Sequence, residues 1–225
     1  MFKLFNTIFI ILTLYSHVIF KILSVIPNHS VLQRKHWEVF FPKLKSLESN
    51  WKDILKEYEQ IQSLTSPISR EIFFKEIVKK NQWKYFYIKN YNPIPERLYK
   101  LLPKTCKLID ACPDIMLAMF SIMEPGAVVL PHRGFYKGCI RVHLGLDCPT
   151  IREGCFIGID GIISGWTNGK CKVWDDTYEH FVINNTEKKR VILFLDIRRP
   201  LKGGFHTQPF QKLCEKMAGV IVKNF

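Results

Sequence analysis

The sequence predicts a mainly β protein of jelly-roll kind, with helices packed outside it and a hydrophobic N-terminus. Three observations carry this. After Pro113, short apolar runs alternate with Gly, Pro and Asn turns, marking strands at about 116–123, 127–130, 139–147, 154–159, 170–174, 178–183 and 189–198. Strands so spaced make an antiparallel sandwich or barrel. Before Pro113 the apolar residues recur at helical steps. Finally, Leu4 to Phe20 carry no formal charge.

That opening run, LFNTIFIILTLYSHVIF, lies between Lys3 and Lys21 and resumes at Ile22, Leu23, Val25 and Ile26 before Pro27. With Lys21 snorkelling, residues 1–26 reach the ~20 residues a bilayer span requires. No small-x-small cleavage pattern follows, so a membrane anchor is preferred to a cleaved signal or an interfacial helix. Lys21, Arg34, Lys35, Lys43 and Lys45 follow the run and one Lys precedes it, which orients a single-pass chain with its bulk on the cytoplasmic side.

Residues 27–114 form a helical or mixed support region. Leu44, Leu47, Trp51, Ile54, Leu55, Tyr58 and Ile61 give one amphipathic helix over 43–61. A second helix is expected over 69–79, and Trp83 to Tyr91 has the aromatic content of a strand. Pro95 and Glu96 open a helix carrying Leu98, Leu101 and Leu102. Pro103 ends it and leaves Leu108 and Ile109 to a separate turn. The strands fill a core over 115–202, and 203–225 is an extension with a short helix from 210.

The chain's 225 residues, 47% hydrophobic, suit one substantial domain and exclude a disordered chain. Lys and Arg number 33 against 20 Asp and Glu, a net +13 that calls for an anionic partner: a membrane leaflet, a nucleic acid or an acidic substrate. Aromatics between lysines at 83–91 could stack on bases, but they read equally as a strand, and no nucleic-acid partner is expected. Seven Cys without a CxxC pair read as free thiols in a reducing compartment.

Alternation locates the chemistry. In 139–147, Ile140, Val142, Leu144 and Leu146 share one face, and Arg141, His143 and Gly145 share the other. A bare Gly beside a His admits close approach. His180 shares a face with Val182. Arg190 opens a strand so apolar that an anion should meet it, unless Glu187 does. Each has a bland alternative: a hydrogen-bonded structural His, a sheet-face Arg, and an ordinary acidic turn at Asp175-Asp176. Together, two imidazoles on separate strands and a strand-end Arg provide what an iron(II) dioxygenase needs, nitrogen ligands and a guanidinium for a keto-acid carboxylate.

The segments Pro131-His132-Arg133-Gly134, RVHLGL (141–146), Gly154-Cys155, WxxGK (166–170), WDDTYEH (174–180) and RVILFLD (190–196) together resemble the aspartyl/asparaginyl beta-hydroxylase family. These are iron(II)- and 2-oxoglutarate-dependent dioxygenases on a double-stranded beta-helix. The chain looks most like the membrane-anchored lipid A 2-hydroxylases among them. The resemblance implies Fe(II), 2-oxoglutarate and O2, with ascorbate as reductant in vitro. It makes His143 and His180 the metal ligands and Arg190 the partner of the 2-oxoglutarate C5 carboxylate. Arg141 would help hold the cosubstrate, and His132 would line the pocket. The wider superfamily has a His-x-Asp/Glu pair where this chain has His143-Leu144-Gly145, a gap the named family shares. Protein-hydroxylating relatives tend to carry an Arg after Gly-Cys where this chain has Phe156-Ile157-Gly158, which weakens the case for an acidic peptide and favours a lipid or other apolar target. The net positive charge adds the expectation of a membrane lipid with an anionic head group. Hydroxylation of a protein Asp or Asn, and a non-catalytic membrane-tethered module, are the competing expectations.

Overall fold

All nine residues of Ile115–Met123 are buried, which a strand achieves only in a sheet covered on both faces. The computed structural model describes residues 17–26, 28–67, 78, 82–203 and 208–224, and it shows how this covering is done. A six-stranded sheet runs β1 (Ser66–Pro67), β2 (Trp83–Asn90), β3 (Ile115–Met123), β10 (Arg190–Arg198), β5 (Cys139–Asp147), β8 (Cys171–Trp174). A four-stranded sheet runs β4 (Ala127–His132), β9 (His180–Asn184), β6 (Cys155–Ile159), β7 (Ile162–Ser164). Every pairing is antiparallel. The two sheets face each other as a jelly roll.

Alternation along the strands divides the core in two. Val142 and Leu144 of β5, with Leu193 and Leu195 of β10, point outward and pack under Leu47, Ile54, Ile61 and Leu102 of the helices. Met119, Ile192 and Phe194 point inward and meet Val129, Ile157 and Val182 of the small sheet. Fully burying one such side chain stabilises by roughly 1.5–3 kcal/mol. His143, His180 and Arg190 are buried in the inner layer, where two sheets supply side chains to the same volume.

The helices are α1 (Arg34–Phe40), α2 (Leu44–Ser49), α3 (Trp51–Ile61), α4 (Glu96–Leu101), α5 (Pro103–Asp110) and α6 (Gln208–Asn224). The single helix expected over 43–61 is therefore two. Asn50 leaves helical geometry at φ −110°, ψ 17°, and its side-chain amide donates to Ser46 O. A side chain competing for backbone partners breaks a helix without disturbing its apolar period. Pro103 acts as expected, opening α5 after Leu102 leaves the helical region. Strands β1 and β7 have two and three residues, too short for a period-2 pattern. Of the helix expected over 69–79, only Val78 is described, and it forms a β-bridge to Val129; the rest lies outside the described residues.

The last part of the expected anchor, residues 17–26, packs against the rest of the fold. Residues 17–23 are helical, and Phe20 is fully buried, its ring 5.7 Å from Tyr136 and 5.6 Å from Phe210. Ser24 bridges Leu201, and Ile26 belongs to the outer core. An apolar run reads alike whether lipid or protein covers it, so hydropathy could not place this docking. No described helix is long and apolar enough to cross a membrane, and residues 1–16 lie outside the described residues.

Leu102 offers no side-chain cap to α5. Glu57 of α3 supplies one from another helix, accepting from Lys104 N (2.8 Å), Thr105 N (2.9 Å) and Thr105 Oγ1 (2.6 Å). A carboxylate there satisfies free amides and meets the positive end of the helix dipole. Glu57→Ala should lower unfolding stability by about 2 kcal/mol in urea titration, against at most a few tenths for exposed Glu59→Ala. Equal effects would remove the capping role.

Candidate active site

The inner layer contains a pocket of about 30 Å³ whose lining includes His132, Arg141, His143, Trp174, His180 and Arg190. All five residues singled out in the sequence therefore meet at one place. Their relations differ from those expected.

His132 ends β4 and His180 begins β9, and the ladder sets the two residues opposite each other after a register shift beyond Val129. Their rings are 4.2 Å apart. His132 Nδ1 lies 2.8 Å from Leu130 O, and His180 Nδ1 lies 2.9 Å from Tyr178 O. A carbonyl can only accept, so each Nδ1 carries the proton and each Nε2 keeps its lone pair. Burial lowers both pKa values. For His180, burial followed by the neighbouring His132 brings it to about 3. Two neutral imidazoles, each oriented by a backbone carbonyl, form the arrangement that a metal ion uses.

His143, on β5, has the opposite polarity. Its Nδ1 is 3.3 Å from Trp166 Nε1, which can only donate. Burial, then the charges of Arg190 and Arg141, holds its pKa well below the usual histidine value. A neutral ring whose Nδ1 accepts must carry its proton on Nε2, and that atom is buried with no partner. His143 thus presents an N–H where the expected ligand role requires a lone pair. Strand alternation could show which way His143 faces, but not what binds each ring nitrogen.

Arg190 is 1% exposed, and no carboxylate pairs with it among the described residues. The Glu187 alternative is not realised. Its Nη2 donates to Ser121 Oγ (3.2 Å), its guanidinium lies 4.9 Å from the Trp166 ring centroid, and its Nε has no partner. Burial lowers its pKa. Ser121 also accepts from Trp83 Nε1 (2.8 Å), which leaves its own hydroxyl proton available. Ser121 was missed in the sequence, though a lone hydroxyl in IMLAMFSIM was a signal.

Arg141 is the reverse case. Its Nε and Nη2 bind Asp196 (2.8 and 3.1 Å), and Nη2 also reaches Asp176 (2.9 Å). Only Nη1 remains for a ligand, so the cosubstrate role expected of Arg141 is narrowed to that nitrogen. Asp175 and Asp176 are not a solvated acidic turn; they are 1% and 3% exposed. Asp175 binds Lys137 and Arg199, whereas a Cβ at Gly134 would collide with the Asp176 carboxylate. Burial raises the Asp176 pKa to about 7. Among the described residues, no group of three or more His, Cys, Asp or Glu is arranged for a metal, and all seven cysteines are free.

A family model described as aspartyl/asparaginyl beta-hydroxylase matches residues 48–200. An ornithine lipid ester-linked acyl 2-hydroxylase of Rhizobium tropici is 36% identical over 166 residues, covering 72% of this chain and 59% of that protein. The human aspartyl/asparaginyl beta-hydroxylase is 32% identical over 165 residues, covering 70% of this chain and 21% of that protein. The chain thus spans less than two thirds of either relative. A solved prolyl-4-hydroxylase of Pseudomonas putida, 17% identical, aligns over 68% of this chain and 88% of that one with a TM-score of 0.46.

The buried neutral imidazoles make stability depend on pH. The unfolded chain binds protons below about pH 6.5 and the folded chain does not, so stability is lost as pH falls. At pH 5, His143 and His180 should each cost the metal-free protein about 2 kcal/mol relative to pH 7. Urea midpoints at the two pH values should converge in His143→Gln and His180→Gln. An unchanged gap in both variants would contradict neutral burial.

Proposed function

The chain belongs to the aspartyl/asparaginyl beta-hydroxylase family, and on that premise we propose that it is an iron(II)- and 2-oxoglutarate-dependent hydroxylase of a membrane lipid acyl chain. The observation that carries the proposal is Arg190, a buried guanidinium with no carboxylate of its own. Leaving such a charge unpaired costs several kcal/mol, and an entering carboxylate would remove that cost. Arg190 and the free proton of Ser121 would hold the far end of a dicarboxylic keto acid.

The donor set fits iron(II). The free Nε2 atoms of His132 and His180 would hold the metal, which replaces the His143–His180 pair by the pair whose lone pairs are available. Gly134, two residues after His132, supplies no ligand, and Asp176 fills the space beside it. Bound there, iron would supply oxygen activation coupled to decarboxylation of 2-oxoglutarate and C–H hydroxylation. The chain's own groups bind and orient. His143 Nε2–H offers a proton to an anionic oxygen within the pocket, and Nη1 of Arg141 can do the same. Trp166, Trp174 and Phe194 exclude water, which strengthens each of these contacts.

A lipid acyl chain as substrate is supported by the name of the Rhizobium relative, by the uncharged Phe156-Ile157-Gly158 and by the net charge of +13. That relative's named lipid is an ornithine lipid, not lipid A, so the common element is an acyl chain beside a polar head. The cationic surface would meet an anionic leaflet, and the Lys/Arg excess after the apolar N-terminus supports membrane attachment through the residues before 17, with the catalytic part cytoplasmic.

The full chain in detergent, given iron(II), ascorbate and 2-oxoglutarate, should form succinate, with severalfold stimulation by membrane acyl lipid. His132→Ala, His180→Ala and Arg190→Met should each lose at least 100-fold. Cobalt(II) binding should be lost in the first two variants and kept in Arg190→Met and His143→Ala. Stimulation by an Asp- or Asn-containing peptide in place of lipid would favour protein hydroxylation. No succinate under any condition would leave a non-catalytic module.

A further inference from the structure

Residues 165–170 join β7 to β8 and lie against β5 just beyond His143. Gly145 permits the contact, since a Cβ there would stand 2.5 Å from Thr167 O. Gly169, at φ +74°, donates to Gly145 O (2.8 Å), Gly145 donates to Lys170 O (3.2 Å), and Asn168 Oδ1 accepts from Cys148 N (3.0 Å). The segment is thus pinned along its length. Trp166 is 6% exposed, with its Nε1 on His143 Nδ1 and its ring against the Arg190 guanidinium.

We propose that Trp166 is a positioning residue that fixes the tautomer of His143. It makes His143 a hydrogen-bond donor to the cosubstrate. The chemistry follows from one proton. A neutral imidazole carries one N–H, and the two tautomers interconvert freely unless a neighbour selects between them. An indole N–H at Nδ1 makes that nitrogen an acceptor and forces the proton to Nε2. Without the indole N–H, Nδ1 has no partner and the proton can occupy either position. In the Nδ1–H form, His143 would turn a lone pair, in place of an N–H, toward an anionic oxygen of the cosubstrate and repel it. The same indole also covers the face of the unpaired guanidinium. One side chain thereby sets the hydrogen-bonding polarity of His143 while shielding the charge of Arg190. Gly145 acts one step further away, by letting the segment that carries Trp166 come close enough.

The inference rests on the proposed use of 2-oxoglutarate only in its second readout. Trp166→Phe keeps a ring in place and removes the N–H. Nitrogen-15 NMR of ring-labelled histidine in the metal-free full chain should show the His143 resonances, assigned with His143→Gln, as a single Nε2–H tautomer. In Trp166→Phe they should become a mixture, with an unchanged melting temperature. The Kd for 2-oxoglutarate with cobalt(II) present should rise about tenfold, the effect of one lost hydrogen bond to an anion. Cobalt(II) affinity should stay equal. Gly145→Ala, which displaces Thr167, should shift the tautomer in the same direction. A wild-type His143 in the Nδ1–H form, or a Trp166→Phe protein with unchanged tautomer, would overturn the role of Trp166. If the wild type binds no 2-oxoglutarate, the functional proposal falls, and the tautomer readout still decides this one.

Discussion

At the centre of this fold sits a guanidinium that no carboxylate among the described residues pairs with, and its neighbours are arranged around that imbalance. Arg190 is sealed by β3, β5 and β10 on one side and by Trp166 on another. The field of a buried cation makes protonation of nearby imidazoles costly, and its charge is the second cause of the depressed pKa of His143. The second arginine of the pocket could not be added to that field uncompensated, and it is not: Arg141 is flanked by Asp176 and Asp196. Arg141 has its anions built in, and only its Nη1 is left for a ligand. Arg190 has no carboxylate partner among the described residues.

A second set of buried charges lies beside the pocket. Asp175 and Asp176 are neighbours on a turn and take different partners. Asp176 binds Arg141, which lines the pocket. Asp175 binds Arg199 Nη2 (2.6 Å) and Lys137 Nζ (2.5 Å), both nearly inaccessible to solvent. Arg199 Nε also donates to Lys137 O, and Gln211 donates to Arg199 O. The network joins the turn before β9, the loop before β5, the end of β10 and helix α6. Removing one charge from such a set leaves the others buried and unpaired, which is why it holds the wall more firmly than contacts of the same number on the surface.

Much of this was legible in the sequence, for identifiable reasons. Strand alternation has one period, so the facing of Arg141 and His143 in β5, and of Arg190 in β10, could be read without a structure. Pro103 has one conformational consequence at a helix start, and it occurs. What stayed hidden depends on partners distant in sequence. The pairing of His132 with His180 requires the β4–β9 ladder and the register shift after Val129. No local pattern encodes either. The tautomers of all three histidines are set by a carbonyl or an indole on the other ring nitrogen, and sequence spacing does not reveal those. Close approach at Gly145 could be anticipated, but the approaching group, the backbone of Thr167, could not. Asn50 interrupted a helix whose apolar period ran through it, because both halves bury the same face of the large sheet.

The N-terminal segment also takes a different meaning. As a sequence it reads as an apolar run followed by a boundary. In the fold, the chain passes from Phe20, buried against Tyr136 and Phe210, to Ser24 beside Leu201, and then along β8, where Leu32 N donates to Val173 O (3.0 Å) and Asp175 N donates to Ser30 O (3.0 Å). Tyr178 Oη donates to Asn28 O (3.1 Å), and the carbonyl of that same Tyr178 orients the His180 ring. The segment after residue 17 is therefore part of the wall that orients His180. Along residues 17–26 and 28–32 the path is held by the buried ring of Phe20 and by backbone hydrogen bonds from Val25, Leu32 and Asp175.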